Sequence, residues 1–179
     1  MNATMTTARM RLRPITMDDL DRMHALHNDP EVMRYLTGGA PIARETIGAE
    51  IREGSWGEGY WAAETIADGE WLGWFALHPV TGRQPGDREL GYRLRQAAWG
   101  KGYATEGARS LVAAGFADPA VDRVFAQTMA VNRGSRRVME KTRLRFVRVV
   151  HLEWDDPLPG TEEGEVEYAL TRAEWEASR

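Results

Sequence analysis

The stretch AAWGKGYATEG, Ala97 to Gly107, sets Gly100 and Gly102 on either side of Lys101 and then runs into alanine-rich helical sequence. A strand that ends in Gly-x-Gly and feeds a helix leaves several N–H groups without intrahelical acceptors, all directed into the space ahead of the helix. Free donors and the positive end of the helix dipole converge there, a combination that suits phosphate. Glycine also lets a bulky anion approach the backbone. Two phosphate motifs can be tested against this stretch. The dinucleotide fingerprint needs a third glycine at position 105, where Thr105 stands, and the P-loop needs Ser or Thr after its lysine, where Gly102 stands. Both fail, and taken alone the stretch fits a phosphate cradle and a plain tight turn equally well.

The order of elements around it narrows the fold. Arg9 to Ile15 alternates as a strand, and Thr16 with Asp19 resembles a capping box opening a helix with Leu20, Met23 and Leu26 on one face. Asp29-Pro30 opens a further helical turn, and Ile47 and Ile51 mark a helix that stops at Gly54. Strands follow at Tyr60 to Ile66 and Trp71 to His78, joined by an Asp68-Gly69 turn. After a loop, Thr81 to Asp87, come a strand from Glu89 to Leu94, the glycine stretch and a helix from about Ala104 to Phe116. Arg123 to Val131 reads as a strand, Ser135 to Thr142 as a helix, and Arg145 to Trp154 and Gly164 to Leu170 as strands. Thr171 with Glu174 forms a last capping box. No repeat and no low-complexity linker interrupts residues 1–179, so one domain is expected.

Composition excludes several classes. Apolar residues at 42% and charged residues at 28% are ordinary for a folded chain, which removes disorder and collagen. A net charge of -4 argues against nucleic acid, whose phosphates call for a basic excess. Without cysteine there is no disulfide framework, thiolate catalysis or thiolate zinc site. The N-terminus has no apolar core of a signal peptide and no run is long enough to span a membrane, so a cytoplasmic protein is expected.

A second pattern settles the reading of the glycines. In VFAQTMAVNRGSRRVMEK a strand runs into Asn132, with Ser135 following at the start of a helix. Both are good N-caps and need no further purpose by themselves. As a set, however, ELGYRL, WGKGYATEG, AVNRGS and VMEK resemble the GNAT acyl-CoA N-acyltransferases, and within them the branch with the RimJ and RimL ribosomal-protein N-terminal acetyltransferases. The resemblance runs from Arg9 to about Trp175.

That resemblance implies an α+β fold: a mixed, mostly antiparallel twisted sheet flanked by helices, with two central parallel strands that splay apart. Those strands would be Glu89 to Leu94 and Arg123 to Val131, with the pantetheine arm of acetyl-CoA in the gap. The pyrophosphate would lie on the amides of Gly100, Lys101, Gly102, Tyr103, Ala104 and Thr105. The family's loop reads Gln/Arg-x-x-Gly-x-Gly/Ala, and Trp99 departs from it at the first position. It also implies that Asn132 hydrogen-bonds the pantetheine and that a backbone N–H around Leu94 polarises the acetyl carbonyl.

Acetyl transfer to an amine needs a free-base amine. An α-amine with a pKa of about 7.7–8.0 is roughly a tenth free base at pH 7, whereas a lysine amine is far less so. Glu89, which begins the strand leading to the glycine loop, is the first candidate base, since related enzymes often place a glutamate there. His151 and Glu153, on one face of an expected strand, form a second candidate pair. Many family members carry a tyrosine that protonates the departing sulfur, seven residues after the asparagine, where this chain has Met139. Ser135 is the substitute that the RimL-like branch suggests. Arg143 stands where a helix-ending glycine is usual.

Weaker features complete the reading. His24 and His27 lie three apart but lack a third ligand, so no metal is expected. Trp56, Tyr60, Trp61, Trp71 and Trp74 are expected mostly in the core, with one or two lining an acceptor pocket. The acidic run from Glu153 to Glu167 would favour a cationic acceptor if it flanks the cleft. The sequence therefore points to an acetyl-CoA-dependent N-acetyltransferase. Its acceptor would be a peptide N-terminus or a small cationic amine, no nucleic acid or membrane would be a partner, and a homodimer would suit the family. A longer acyl donor such as succinyl-CoA, a non-catalytic acyl-CoA sensor and a ligand-free structural domain stay open.

Overall fold

The computed structural model describes residues 3–153 and 156–178. Eight strands form one sheet: β1 (Met5–Thr6), β2 (Met10–Pro14), β3 (Tyr60–Thr65), β4 (Trp71–His78), β5 (Asp87–Leu94), β6 (Arg123–Met129), β7 (Arg145–Val150) and β8 (Glu165–Thr171). Their order across the sheet is β1-β2-β3-β4-β5-β6-β8-β7. Every neighbouring pair is antiparallel except β5 and β6. The helices are α1 (Leu20–His27), α2 (Pro30–Met33), α3 (Arg44–Glu53), α4 (Tyr103–Ala117), α5 (Arg133–Lys141) and α6 (Arg172–Glu176).

Helices cover both faces of the sheet, and this is why β4 is apolar nearly throughout. On one face, Ala108, Leu111, Val112 and Phe116 of α4 pack with Phe75, Leu90, Leu94 and Val124. On the other, Leu20, Met23 and Leu26 of α1 and Ile47 of α3 pack on Ala62, Trp74 and Ala76. Helix α4 sits very close to β4, since a Cβ built on Gly107 would lie 2.4 Å from Phe75 Cζ. The small residue there is a packing requirement.

The caps read from sequence form as expected in several places. Asp29 accepts from Glu31 N at 3.0 Å and Val32 N at 3.3 Å, with Pro30 opening α2. Thr16 N donates to Asp19 Oδ2 at 3.0 Å, although the turn it opens, Met17–Asp19, is 3₁₀ before α1 begins. Thr171 and Glu174 close a reciprocal box on α6.

Three boundaries differ from the sequence reading, each for a hydrogen-bonding reason. Strand β5 begins at Asp87 because Asp87 pairs with Arg123. Strand β6 stops at Met129 and α5 starts at Arg133, because the Asn132 side chain accepts from Ser135 N at 3.2 Å and caps the helix there. Ser135 is thus inside the first turn of α5. Strand β7 ends at Val150, paired with Glu165, and β8 offers no residue beyond it. His151 and Glu153 are therefore exposed loop residues and do not share a strand face; Trp154 lies outside the described residues. Arg143, in place of the usual glycine, takes the left-handed conformation anyway, with φ 70°. That conformation costs a non-glycine residue about 1–2 kcal/mol. No helix among the described residues is long and apolar enough to cross a membrane.

Candidate active site

The site is built where β5 and β6 part. The two strands pair at Asp87↔Arg123, Arg88↔Val124 and Glu89↔Phe125, after which β5 runs on to Leu94 and β6 to Met129 without pairing each other. Arg95 N donates to Leu72 O at 2.9 Å. By the antiparallel alternation, Arg93 and Arg95 spend their backbone groups on β4, while those of Tyr92 and Leu94 face the opened gap.

Beyond Leu94 the chain makes a 3₁₀ turn, Gln96–Ala98, and reaches the glycine loop. Trp99, the departure from the family pattern, donates from Nε1 to Leu94 O at 2.7 Å and ties the loop to the strand end. Gly100 and Gly102 have φ of 71° and 85°, so glycine suits both positions for conformational reasons alone. Gly102 is the N-cap of α4 and no side chain caps the helix. The first amide to reach a carbonyl of the turn is Glu106 N, which donates to Gly102 O at 3.0 Å. The amides of Tyr103, Ala104 and Thr105 precede it and have no intrahelical acceptor. Lys101 is exposed. Turn geometry and free amides coexist here, and the uncapped amides together with the gap have room and donors for a pyrophosphate with its pantetheine arm.

Arg9 secures this loop, a role that nothing in the sequence signalled. Its Nη1 donates to Lys101 O at 3.0 Å, its guanidinium lies 4.4 Å from the centre of the Tyr103 ring, and its Nε meets Glu106 Oε2 at 2.7 Å. Thr7 Oγ1 donates to the same carboxylate at 2.6 Å. Partial burial would raise the Glu106 pKa, but these bonds outweigh it and hold the group below its ordinary value. The carboxylate in the first turn of α4 is thereby neutralised beside the anion site.

Across the gap, Asn132 spends its side chain locally: Oδ1 caps α5 and Nδ2 donates to Thr128 Oγ1 at 3.0 Å. One further N–H and one lone pair remain for a ligand. Ser135 Oγ lies 2.9 Å from Tyr92 Oη, and that phenol also donates to Ser135 O at 3.0 Å. Burial pushes Tyr92 up to about 12, against a lowering hydrogen bond from Ser135. Met139 is fully buried in the core. The phenol missing from α5 at position 139 is thus matched by one on β5, next to Ser135, that sequence reasoning overlooked.

The opposite face of the sheet carries the acid–base groups. Glu89, Glu165 and Glu167 share it with Arg93 and His78, as the strand pairings place them. Glu167 is fully buried and held by Arg123 at 2.6 Å, Arg83 at 2.7 Å and Arg148 at 3.1 Å. Burial alone would raise its pKa; the three arginines hold it down at about 2. Glu89 moves the other way, raised by burial and by Glu167 against the lowering effects of His78 and Arg83. Glu165 is raised by burial and by Glu89. Environment therefore separates three carboxylates into one fixed anion and two that can exchange protons nearer neutrality.

Aromatic rings line this face. Trp56 lies 5.4 Å from Trp74 and 5.3 Å from Tyr60 between ring centres, and Tyr60 stacks on His78 at 5.0 Å with Oη 3.0 Å from His78 Nε2. Trp61 points to the other face, and Trp71 is buried. His27 is no metal ligand: it is buried, accepts from Trp74 Nε1 at 3.2 Å, and is pushed down to about 3 by burial and by Arg93 and His24. Among the described residues no three His, Asp or Glu side chains converge to hold a metal ion. At the open end the loops meet, since a Cβ on Gly38 would lie 2.6 Å from Leu158 Cδ2. A surface hollow of ≈ 580 Å³ between His151, Leu152, Leu158 and Glu162 includes His151 but none of the candidate residues at the fork between β5 and β6.

A splayed parallel pair with an uncapped helix mouth on one side and a perturbed glutamate on the other has the geometry that an acyl-CoA transferase would need. Comparison with known proteins agrees: residues 9–145 match the acetyltransferase (GNAT) domain, and the chain belongs to that family, whose members move acetyl from acetyl-CoA to an amine. It is similar to FsC-acetyl coenzyme A-N(2)-transacetylase of Aspergillus fumigatus, at 37% identity over 96% of this chain and 77% of that protein. A GNAT-family acetyltransferase from Bacillus anthracis superposes with a TM-score of 0.79 at 23% identity, covering 96% of this chain and 99% of the other. The RimL ribosomal L7/L12 acetyltransferase, solved with coenzyme A, gives 0.76 at 13% identity, covering 94% and 98%. At those identities the two structures carry the fold alone.

Proposed function

We propose that this acetyltransferase acts on a primary amine of a small molecule, with Glu89 as base and Ser135 as hydrogen-bond donor to the leaving sulfur. The observation that carries this is the position of Glu89 at the last paired residue before the strands open, half-buried and with a raised pKa. It lies where the acyl group, drawn through the gap from the glycine loop, would meet an acceptor on the aromatic face. The relative's N(2)-transacetylase activity favours a defined amine nitrogen over a ribosomal protein terminus as acceptor.

In this reading Glu89 accepts the ammonium proton through a water, and the freed lone pair forms the C–N bond at the thioester carbon. Amides of Tyr92 and Leu94 stabilise the oxyanion that develops. As the C–S bond breaks, the Ser135 hydroxyl turns from Tyr92 to the sulfur and steadies the thiolate until it takes, through water, the second proton that the nitrogen sheds on becoming an amide. Tyr92, anchored on Ser135 O, holds the serine in place.

The test begins with calorimetric titration of acetyl-CoA and desulfo-CoA, with NAD as a phosphate-bearing control, followed by an amine screen for thiol release. Binding of the CoA compounds alone and turnover with a small amine are expected. Glu89→Gln should then lower kcat by about 10²–10⁴-fold with acetyl-CoA affinity kept. Wild-type turnover in that variant would remove Glu89 as the base and pass the role to Glu165.

A further inference from the structure

We propose that Arg93 reads a carboxylate on the acceptor, so that the amine acetylated here belongs to a molecule that also carries an anionic group. This rests on the aromatic face being the acceptor site. Arg93 lies on β5 opposite Trp74, on the face of Glu89, and its guanidinium sits 5.1 Å from the Trp74 ring centre. Among the described residues, no carboxylate forms an ion pair with it and no hydrogen bond reaches its guanidinium.

Three other partly buried arginines each have a carboxylate partner. Arg13 is paired with Asp19 at 2.7 Å and Glu64 at 2.6 Å, Arg83 with Glu167 at 2.7 Å, and Arg123 with the same Glu167 at 2.6 Å. Leaving one guanidinium half-buried without an anion is costly unless a ligand supplies the partner. Burial lowers Arg93 to about 10, so it stays cationic at neutral pH. The histidine beside it, His27, is neutral and brings no competing charge.

The surroundings say what kind of anion fits. The guanidinium lies over the Trp74 ring, against which Trp56 and Tyr60 pack edge-on or tilted. A planar carboxylate can take its two parallel N–H donors and rest against the rings. Glu89 and Arg93 both act on the Tyr60 phenol, the first raising and the second lowering its pKa, so the base and the cation flank one ring. An amine facing Glu89 and a carboxylate facing Arg93 therefore fit a single small amphoteric molecule. An uncharged analogue would leave Arg93 unpaired, and sites built around such a bond reject the analogue strongly.

Benzoate and benzamide, which differ in charge and little in shape, test this directly. Their binding is followed by tryptophan fluorescence, since Arg93 lies over the Trp74 ring and Trp56 packs against it. Benzoate is expected to bind at least about tenfold more tightly than benzamide. Arg93→Gln should erase the difference, and Arg93→Lys, which keeps the charge and loses the fork, should keep part of it; near-UV circular dichroism reports that each variant is folded. Equal binding of the two probes by the wild-type protein overturns the proposal, as does a preference that survives in folded Arg93→Gln. The titration needs no acetyl-CoA and no turnover, so its failure is separate from failure of the transferase reading.

Discussion

The two sides of the fork between β5 and β6 are made of different materials. The side proposed for the donor is mostly backbone: amides of the Gly100–Thr105 loop, and the gap-facing groups of Tyr92 and Leu94, with Arg9 and Trp99 bracing them from behind. The acceptor side is all side chains, gathered from α1, the segment after α3, and four strands: His27, Trp56, Tyr60, His78, Glu89, Arg93 and Glu165. A backbone site depends on side chains only through the conformation, and with Trp99 in place Gly100 and Gly102 keep their left-handed angles. A side-chain site is redefined by each substitution, and acceptor choice can diverge while the donor stays the same.

The comparison breaks most directly at Gly102. Gly102→Trp should reduce acetyl-CoA affinity by at least about a hundredfold, because a bulky side chain would fill the helix mouth and resist φ 85°. Gly102→Asn, able to adopt the left-handed conformation, should stay within a few fold of wild type. Calorimetry separates the two effects: equal losses would assign the glycine to the turn and not to the ligand.

A smaller effect is expected where side chains enter the donor half. Ser135→Ala should lower kcat about tenfold with acetyl-CoA affinity unchanged, and Tyr92→Phe about threefold, since it only positions Ser135. Thiol-release kinetics read both. If Tyr92→Phe proved the more damaging, the phenol itself would be the group facing sulfur.

The smallest effect tests whether the acceptor face is also a packing element. His27 is held neutral, at about 3 instead of 6.5. Its contribution to stability is therefore complete above pH 6.5 and is lost as pH falls from there toward 3. Glu167, at about 2 instead of 4.5, contributes above pH 4.5 and loses its contribution only below that. Melting temperatures between pH 6.5 and 4.5 thus carry His27 without Glu167, while Glu89 and Glu165, both raised, act there with the opposite sign, so His27 is read as the difference between wild type and a variant. His27→Gln, which keeps an acceptor for Trp74 and removes the titration, should flatten that segment of the profile; an unchanged slope would place the acid sensitivity elsewhere.

The elements of the proposed donor half were legible because they are local. Gly100, Gly102 and the helix after them follow one another in the chain, and Asn132 and Ser135 form a cap whose spacing is fixed by the helix. The acceptor half was only hinted at. Glu89 was named from its place before the glycine loop and the tryptophans from their clustering, but Arg93, Tyr92 and Glu165 carried no local pattern. His151 and Glu153 were misplaced because the end of β7 depends on where β8 begins, across the Glu165 pairing.

By itself, then, the sequence determined the element order, most of the caps, the glycine loop and the family, since each rests on residues within a few positions of one another. The tertiary structure decided which glutamate is caged and which is raised, which phenol stands beside Ser135, and that Arg93 has no carboxylate partner among the described residues. Those properties come from burial and from neighbours far apart in the chain, and spacing along a sequence does not encode either.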